Sequence, residues 1–281
     1  MKNPKQFKNF LVKIVTVVFV ISSFLVFAPK THAVAITDSL VSWYDLESDG
    51  TDATGANTLS NNTNNSYGSG SGKVGNGVSL NSNDANHSVL HKGSITDLNV
   101  GTGAFSVSGW FNRQGTGHVS SWNPPIFTAG PVGNSTGLGL FLEEDGTHIM
   151  AGQHSGATYH YTYFLVNITT TGWHHFAFVR SADTHRIALY LDNTLLTESS
   201  HADGGGYSSV NVSDFFIGGD TDTADEFKGY TDSVGIWTRA LDATDVATLY
   251  NSGNGQNYCG ITGGCAVAAI IYNRKQKAII W

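Results

Sequence analysis

Charge is scarce in this chain: 13% of its 281 residues are Asp, Glu, Lys or Arg, with a formal net charge of -7. Surface helices laced with ion pairs are therefore not expected, and a basic face able to displace the counterions of a nucleic acid is missing. Cysteine is nearly absent too, with only Cys259 and Cys265 near the C-terminus. The main body must hold together without disulfides, and no Cys/His constellation has zinc spacing. In an exported protein these two cysteines can join across a short loop. Glutamate occurs only at Glu47, Glu143, Glu144, Glu198 and Glu226. No nucleophile elbow, phosphate loop or His-Glu-x-x-His run accompanies them, so the sequence predicts a non-catalytic protein.

One long apolar run is present, at the start. Lys2, Lys5 and Lys8 precede a stretch from Ile14 to Ala28, and Ala33 and Ala35 follow as an A-x-A-like cleavage site. Lys13 interrupts the run, leaving less than the roughly 20 residues a membrane-spanning helix needs. Residues 1–35 are read as a signal peptide, with no membrane span after cleavage and a secreted or cell-surface location.

What the rest of the chain has in quantity is glycine, 33 residues, together with abundant Ser, Thr and Asn. Between turn signals lie many short segments rich in β-branched and aromatic residues, such as "LVSWYDL", "FSVSGWF", "WHHFAFV" and "RIALYLD". Phe105, Val107 and Phe111 share one face of their strand, and Ile187, Leu189 and Leu191 share one face of theirs. Such rows fill the space between two stacked sheets, so the fold is expected to be all-β, a two-sheet antiparallel sandwich or jelly roll. The polar stretch 51–77 reads as a long surface loop with brief pairing.

One helix is expected, in "LDATDVATLYN": Asp242 is the N-cap, Asp245 stands at the capping-box offset, and Val246, Leu249 and Tyr250 recur at helical spacing. The domain is placed at residues 36–255, and the tail 256–281 is left without assignment.

The order of several motifs resembles one known family. "SLVSWYDLESDGTDATGANTLS", "GKVGNGVSLN", "GAFSVSGWFNRQG", "GWHHFAFVRSADTHRIALYLDNTLL" and "FKGYTDSVGIWTRAL" follow one another from about Ser39 to Asn251. This succession resembles the laminin-G-like jelly rolls of the concanavalin A-like lectin and glucanase superfamily. The resemblance implies a concanavalin A-like sandwich. Where the family usually has Gly after its turn Asp, this chain has Asn193, which tolerates the same left-handed backbone. The catalytic members of the superfamily carry closely spaced glutamates and an aspartate on one strand, a run these five glutamates do not form.

The segment "GGDTDTADEFKGYTD" sets Asp220, Asp222, Asp225, Glu226 and Asp232 against Lys228 alone. Calcium, which takes about 6 to 8 oxygens in irregular geometry, would offset that crowding. The resemblance implies a structural Ca2+ pinning the loop after the first strand to the last strand, through Glu47, Asp52, Asn57 and Asp232. The alternative is that these acids are solvated at loop tips.

For a ligand, "YHYTYF" places Tyr159, Tyr161 and Tyr163 on one strand face, and Trp122 lies in the loop "SSWNPP". Aromatic rings stack on the apolar faces of sugars, so Trp122, Tyr159 and Tyr161 are candidate ligand contacts; the competing reading packs the tyrosines on a neighbouring strand. The sequence thus predicts a non-catalytic module that binds carbohydrate or an extracellular protein, or a structural domain of a surface assembly.

Overall fold

A computed structural model describes residues 34–264 apart from 62–63, 82–86, 120–122, 131–136, 156–157, 170, 184–186, 203–213 and 221–224. The chain divides into two compact units, Met1–Ala35 and Ile36–Trp281. The leader read at 1–35 lies outside the described residues except for its last two.

The second unit is built from short strands. The first half supplies β1 (Leu40–Tyr44), β2 (Ser60–Asn61), β3 (Ser66–Gly68), β4 (Gly77–Asn81), β5 (Leu90–Gly93), β6 (Phe105–Arg113), β7 (His118–Val119), β8 (Pro125–Ala129) and β9 (Leu138–Leu142). The second half supplies β10 (His148–Ser155), β11 (Thr158–Leu165), β12 (Trp173–Arg180), β13 (Ile187–Leu191), β14 (Thr194–Leu195), β15 (Glu198–Ala202), β16 (Asp214–Ile217), β17 (Asp225–Glu226) and β18 (Lys228–Trp237). Two helices follow, α1 (Ala243–Tyr250) and α2 (Tyr258–Thr262).

The strands form two antiparallel eight-stranded sheets. One runs β14-β13-β12-β6-β18-β4-β3, with β1 also on β18, and the other runs β15-β11-β10-β9-β8-β16-β5-β2. This is the two-sheet jelly roll that the alternating pattern predicts. Phe105, Val107, Phe111, Ile187 and Leu189 are buried in one continuous core, and Leu191 packs at its margin. Phe127 of the second sheet joins the two layers, stacking on Phe176 at 5.8 Å and meeting Phe178 edge-on at 5.4 Å. Asp192 and Asn193 take left-handed backbone (φ 48° and 64°) in the two-residue turn between β13 and β14, as that tight hairpin requires.

A second apolar cluster lies on the outer face of the first sheet. Trp43, Ala177, Val179 and Trp237 pack there with Leu241, Val246 and Leu249, and with Tyr258 and Ile261. The capping box forms as the sequence predicts: Asp242 accepts from the amides of Thr244 and Asp245, and Asp245 accepts from the amide of Asp242. The start of the tail, left without assignment from sequence, forms α2 and contributes to this cover. Two pairings escape a sequence reading, the short β17–β7 ribbon and the edge strand β15.

Candidate functional site

The acids expected to hold calcium are placed by two loops and one bulge. Two residues past the end of β1 stands Leu46, a buried residue with φ 55°, a left-handed conformation that turns the chain through the loop Asp45–Ala53. On β18, a bulge between Asp232 and Gly235 is made by Ser233, also left-handed at φ 51°. Asp232 itself stands opposite Trp110 of β6.

Each carboxylate is directed at protein amides. Asp232 Oδ2 accepts from Lys73 N and Val74 N, both at 2.7 Å, while Oδ1 receives the Ser233 hydroxyl at 3.2 Å. Glu47 Oε2 accepts from Asn76 N at 2.9 Å, and Asn76 Nδ2 donates to the Glu47 carbonyl. Gly75 lies between these contacts with φ 75°, and a Cβ there would collide with the Glu47 carboxylate. Glu47 and Asp232 therefore hold the same short segment, Asp232 by the amides of Lys73 and Val74 and Glu47 by that of Asn76.

Asp52 and Asn57 turn the other way. Asp52 is buried and accepts from Trp43 N, Thr54 N, the Thr54 hydroxyl and Asn57 N. Asn57 donates its side-chain amide to the Ser42 hydroxyl at 3.0 Å. Both Asp52 oxygens are thus spent on closing the first loop. Of the four residues expected to share an ion, Asp52 and Asn57 thus hold the first loop, while Glu47 and Asp232 hold segment 73–76. No group of three His, Cys, Asp or Glu side chains among the described residues is placed to hold a metal.

Burial pushes the Asp232 carboxyl up to about 7, against the opposing pull of the Val74, Lys73 and Ser233 hydrogen bonds. Asp49 is held below the usual carboxylate range by Thr51, through side-chain and backbone hydrogen bonds. The loop from Asp45 to Ala53 bounds a cavity of about 320 Å³, whose lining carries Asp45, Glu47 and Asp49. Asp45 Oδ1 is engaged by Trp43 Nε1 at 2.6 Å and by Tyr258 N at 2.8 Å, which ties the loop to the start of α2.

The aromatic candidates fall on the second sheet. Tyr161 is 7% exposed and packs with Phe141 and Met150, its ring lying where a Cβ of Gly152, its cross-strand partner, would stand. Tyr163 packs against the same group. Tyr161 and Tyr163 thus take the packing alternative. Tyr159 pairs with His154 in β11, but its side chain lies outside the described residues, as does Trp122. Cys259 is disulfide-bonded; Cys265, the only other cysteine, is outside the described residues.

His175, adjacent to His174 in the sequence, is buried against both Trp110 and Tyr250. Its Nε2 lies 2.9 Å from the Ser108 hydroxyl, and burial drives its pKa down to about 3 despite Asp192 nearby. His174 points to the opposite side, toward Phe111, with Nδ1 2.8 Å from Asp192. The strand alternation that separates the pair was legible in the sequence. The amide-directed roles of Glu47 and Asp232 were not, because the 73–76 partner lies in a loop with no periodic signal.

Comparison with known proteins agrees with this architecture. A family model described as concanavalin A-like lectin/glucanases superfamily matches residues 83–247, more than half of the chain. No curated protein matches. Among solved structures, the chain is similar to domain 4 of AbnA, a GH43 extracellular arabinanase from Geobacillus stearothermophilus, in complex with arabinotriose. The match has 20% identity and a TM-score of 0.56, covering 78% of this chain and 98% of that one. It is also similar to the binding domain of Botulinum neurotoxin DC in complex with SialylT, with 14% identity and a TM-score of 0.58, covering 78% and 52%. The same toxin binding domain in complex with rat synaptotagmin II gives 14% identity and a TM-score of 0.58, covering 77% and 52%. The chain spans about half the length of those toxin domains. Two stacked sheets, the matched segment and the fold shared with these binding domains agree: the chain belongs to the concanavalin A-like lectin/glucanases superfamily.

Proposed function

We propose that this chain is an extracellular, non-catalytic carbohydrate-recognition module. The observation that carries the reading is its likeness to domain 4 of the arabinanase, a domain of matching extent whose structure holds arabinotriose. The leader in the sequence supports export of the chain. Its acids act as loop staples in this reading, and recognition needs no metal in the binding step.

A glycan array probed with the secreted domain tests the proposal. Saturable retention of one glycan class, lost on heat unfolding, is the expected result. Retention of none would overturn it. The competing reading, a protein-interaction or structural domain, draws on the toxin binding domain seen with rat synaptotagmin II, and would gain from a silent array.

A further inference from the structure

The outer face of the first sheet is covered over most of its area. Trp43 and Trp237 lie under α1 and α2, and Trp110 is 2% exposed beneath Tyr250, whose ring stacks on it at 5.7 Å. Lys73 Nζ closes the same indole from another side, 4.6 Å from the ring centroid. Gly255, just past α1, also abuts Trp110 and Val74.

One row further along the same strands the cover ends. Register sets Trp173 of β12 opposite Asn112 of β6, Asn112 opposite Tyr230 of β18, and Tyr230 opposite Ser79 of β4. Because Phe111, Thr231 and Val78 point into the core, these four stand together on the outer face. All four are partly exposed. At the usual strand spacing the row is about 14 Å long.

Its chemistry is specific. The Trp173 and Tyr230 rings lie with centroids 6.5 Å apart and planes inclined by 34°, a shallow, twisted apolar platform. Asn112 Oδ1 accepts from Gly172 N at 3.0 Å and from Gln114 Nε2 at 2.8 Å. Those two donors fix the amide, so Nδ2 is the group left to donate outward. Neither it nor the Trp173 indole N–H, the Tyr230 hydroxyl or the Ser79 hydroxyl has a protein partner among the described residues. No charged side chain stands in the row. Both aromatics are partly exposed, so their polar tips are open to a ligand from outside.

We propose that Trp173, Asn112, Tyr230 and Ser79 form the saccharide-binding surface, taking two or three units of a neutral glycan. The apolar faces of the sugar rings stack on Trp173 and Tyr230, while Asn112 Nδ2 and the hydroxyls bind ring substituents. This rests on the carbohydrate reading above and gives it a location, away from Tyr161 and the acid-lined loop.

The test is affinity electrophoresis through gels containing linear arabinan, xylan or mixed-linkage glucan. Wild type is retarded by one of them. Tyr230→Ala and Trp173→Ala each weaken that retardation about tenfold, in line with losing one aromatic stacking partner. Trp173→Phe, which keeps a ring, recovers most of it. Ser79→Arg, at the exposed end of the row, blocks binding without removing any packing, and so decides the matter if either alanine variant fails to fold. Leu195→Ala, an exposed apolar residue on β14, serves as the control that stays unchanged. Retarded wild type with equal retardation of Ser79→Arg and Tyr230→Ala overturns this surface while leaving the carbohydrate reading standing. Wild type that no gel retards overturns both.

Discussion

Asp232 Oδ2 lies 2.7 Å from the amide nitrogen of Val74, a residue 158 positions earlier in the chain. The contact does for the loop 73–76 what a bound ion was expected to do, joining an early loop to the last strand, and it does so with peptide N–H groups. Its cost is the burial of a carboxylate among neutral amide and hydroxyl donors.

That cost makes the site pH-dependent. Burial holds the folded Asp232 pKa at about 7, above the ordinary 3.8, so the folded state takes up its proton first. The stability this contributes is fully present below about pH 4 and is lost as pH rises through 7. Asp232→Asn, which keeps an acceptor and cannot ionise, should therefore gain on wild type between pH 5 and pH 8, by an amount on the order of a few kcal/mol. Thermal melts at both values, in chelator and in excess calcium, check this. A wild-type midpoint that climbs with calcium at pH 8, and does so only while Asp232 is intact, would show an ion displacing the Lys73 and Val74 amides.

Asp52 should be the more costly residue to lose. It collects three backbone amides and the Thr54 hydroxyl, and truncation strands the buried amides of Trp43 and Asn57. Asp52→Ala is expected to lower stability by about 3 kcal/mol and Asp52→Asn by about 1 kcal/mol, since hydrogen bonds to charged groups are the stronger ones. Urea midpoints for the two variants measure it; equal midpoints for wild type and Asp52→Ala would remove the staple role.

The sandwich was legible because its signal is periodic. Phe105, Val107, Phe111, Ile187 and Leu189 alternate with polar or small residues, and alternation alone sends them to one side of a sheet. The helix was legible because Asp242 and Asp245 stand at cap spacing. Side-chain direction in loops is not periodic, and there the reading ran short. Glu47, Asp52 and Asp232 were recognised as important acids, yet what they face is decided by Asn76, Thr54 and Val74, whose approach depends on how two loops close. Asp52 did carry one local hint: an Asp followed two residues later by Thr is the pattern of a side chain bonding its own turn. The row of Trp173, Asn112 and Tyr230 had none, because only strand register brings those positions side by side.

The tie between Asp45 and Tyr258 predicts a coupling between the first loop and the chain's end. Tyr258 N donates to Asp45 Oδ1, which also receives the Trp43 indole. Asp45→Ala should free the first turn of α2 and expose one edge of the Trp43–Trp237 cluster. Amide exchange at residues 258–262 is expected to accelerate about tenfold, the loss of one hydrogen bond to a charged acceptor, while exchange in β6 stays slow. Unchanged exchange in α2 would mean that Ile261 packing, the Asn257 cap and the Cys259 disulfide hold it without Asp45.

His175 predicts a loss of stability toward acid. Buried against Trp110 and Tyr250, it stays neutral with a folded pKa of about 3, whereas the unfolded side chain protonates near its ordinary 6.5. A depressed histidine pKa means that the stability is present above pH 6.5 and drains away as pH falls toward 3, because the unfolded state gains the proton that the native state refuses. Over the interval from pH 7 to pH 4 the contribution is up to about 3 kcal/mol at roughly 1.4 kcal/mol per pH unit. His175→Gln carries no titrating group, so although it should start less stable at pH 7, having lost the ring contacts with Trp110 and Tyr250, its deficit should shrink steadily on acidification. Denaturant midpoints of the two proteins at half-unit steps of pH give the curve directly. A deficit that stays constant across that range would mean the imidazole takes up its proton inside the fold, and that the cluster of Trp110, His175 and Tyr250 opens to water more readily than its burial implies.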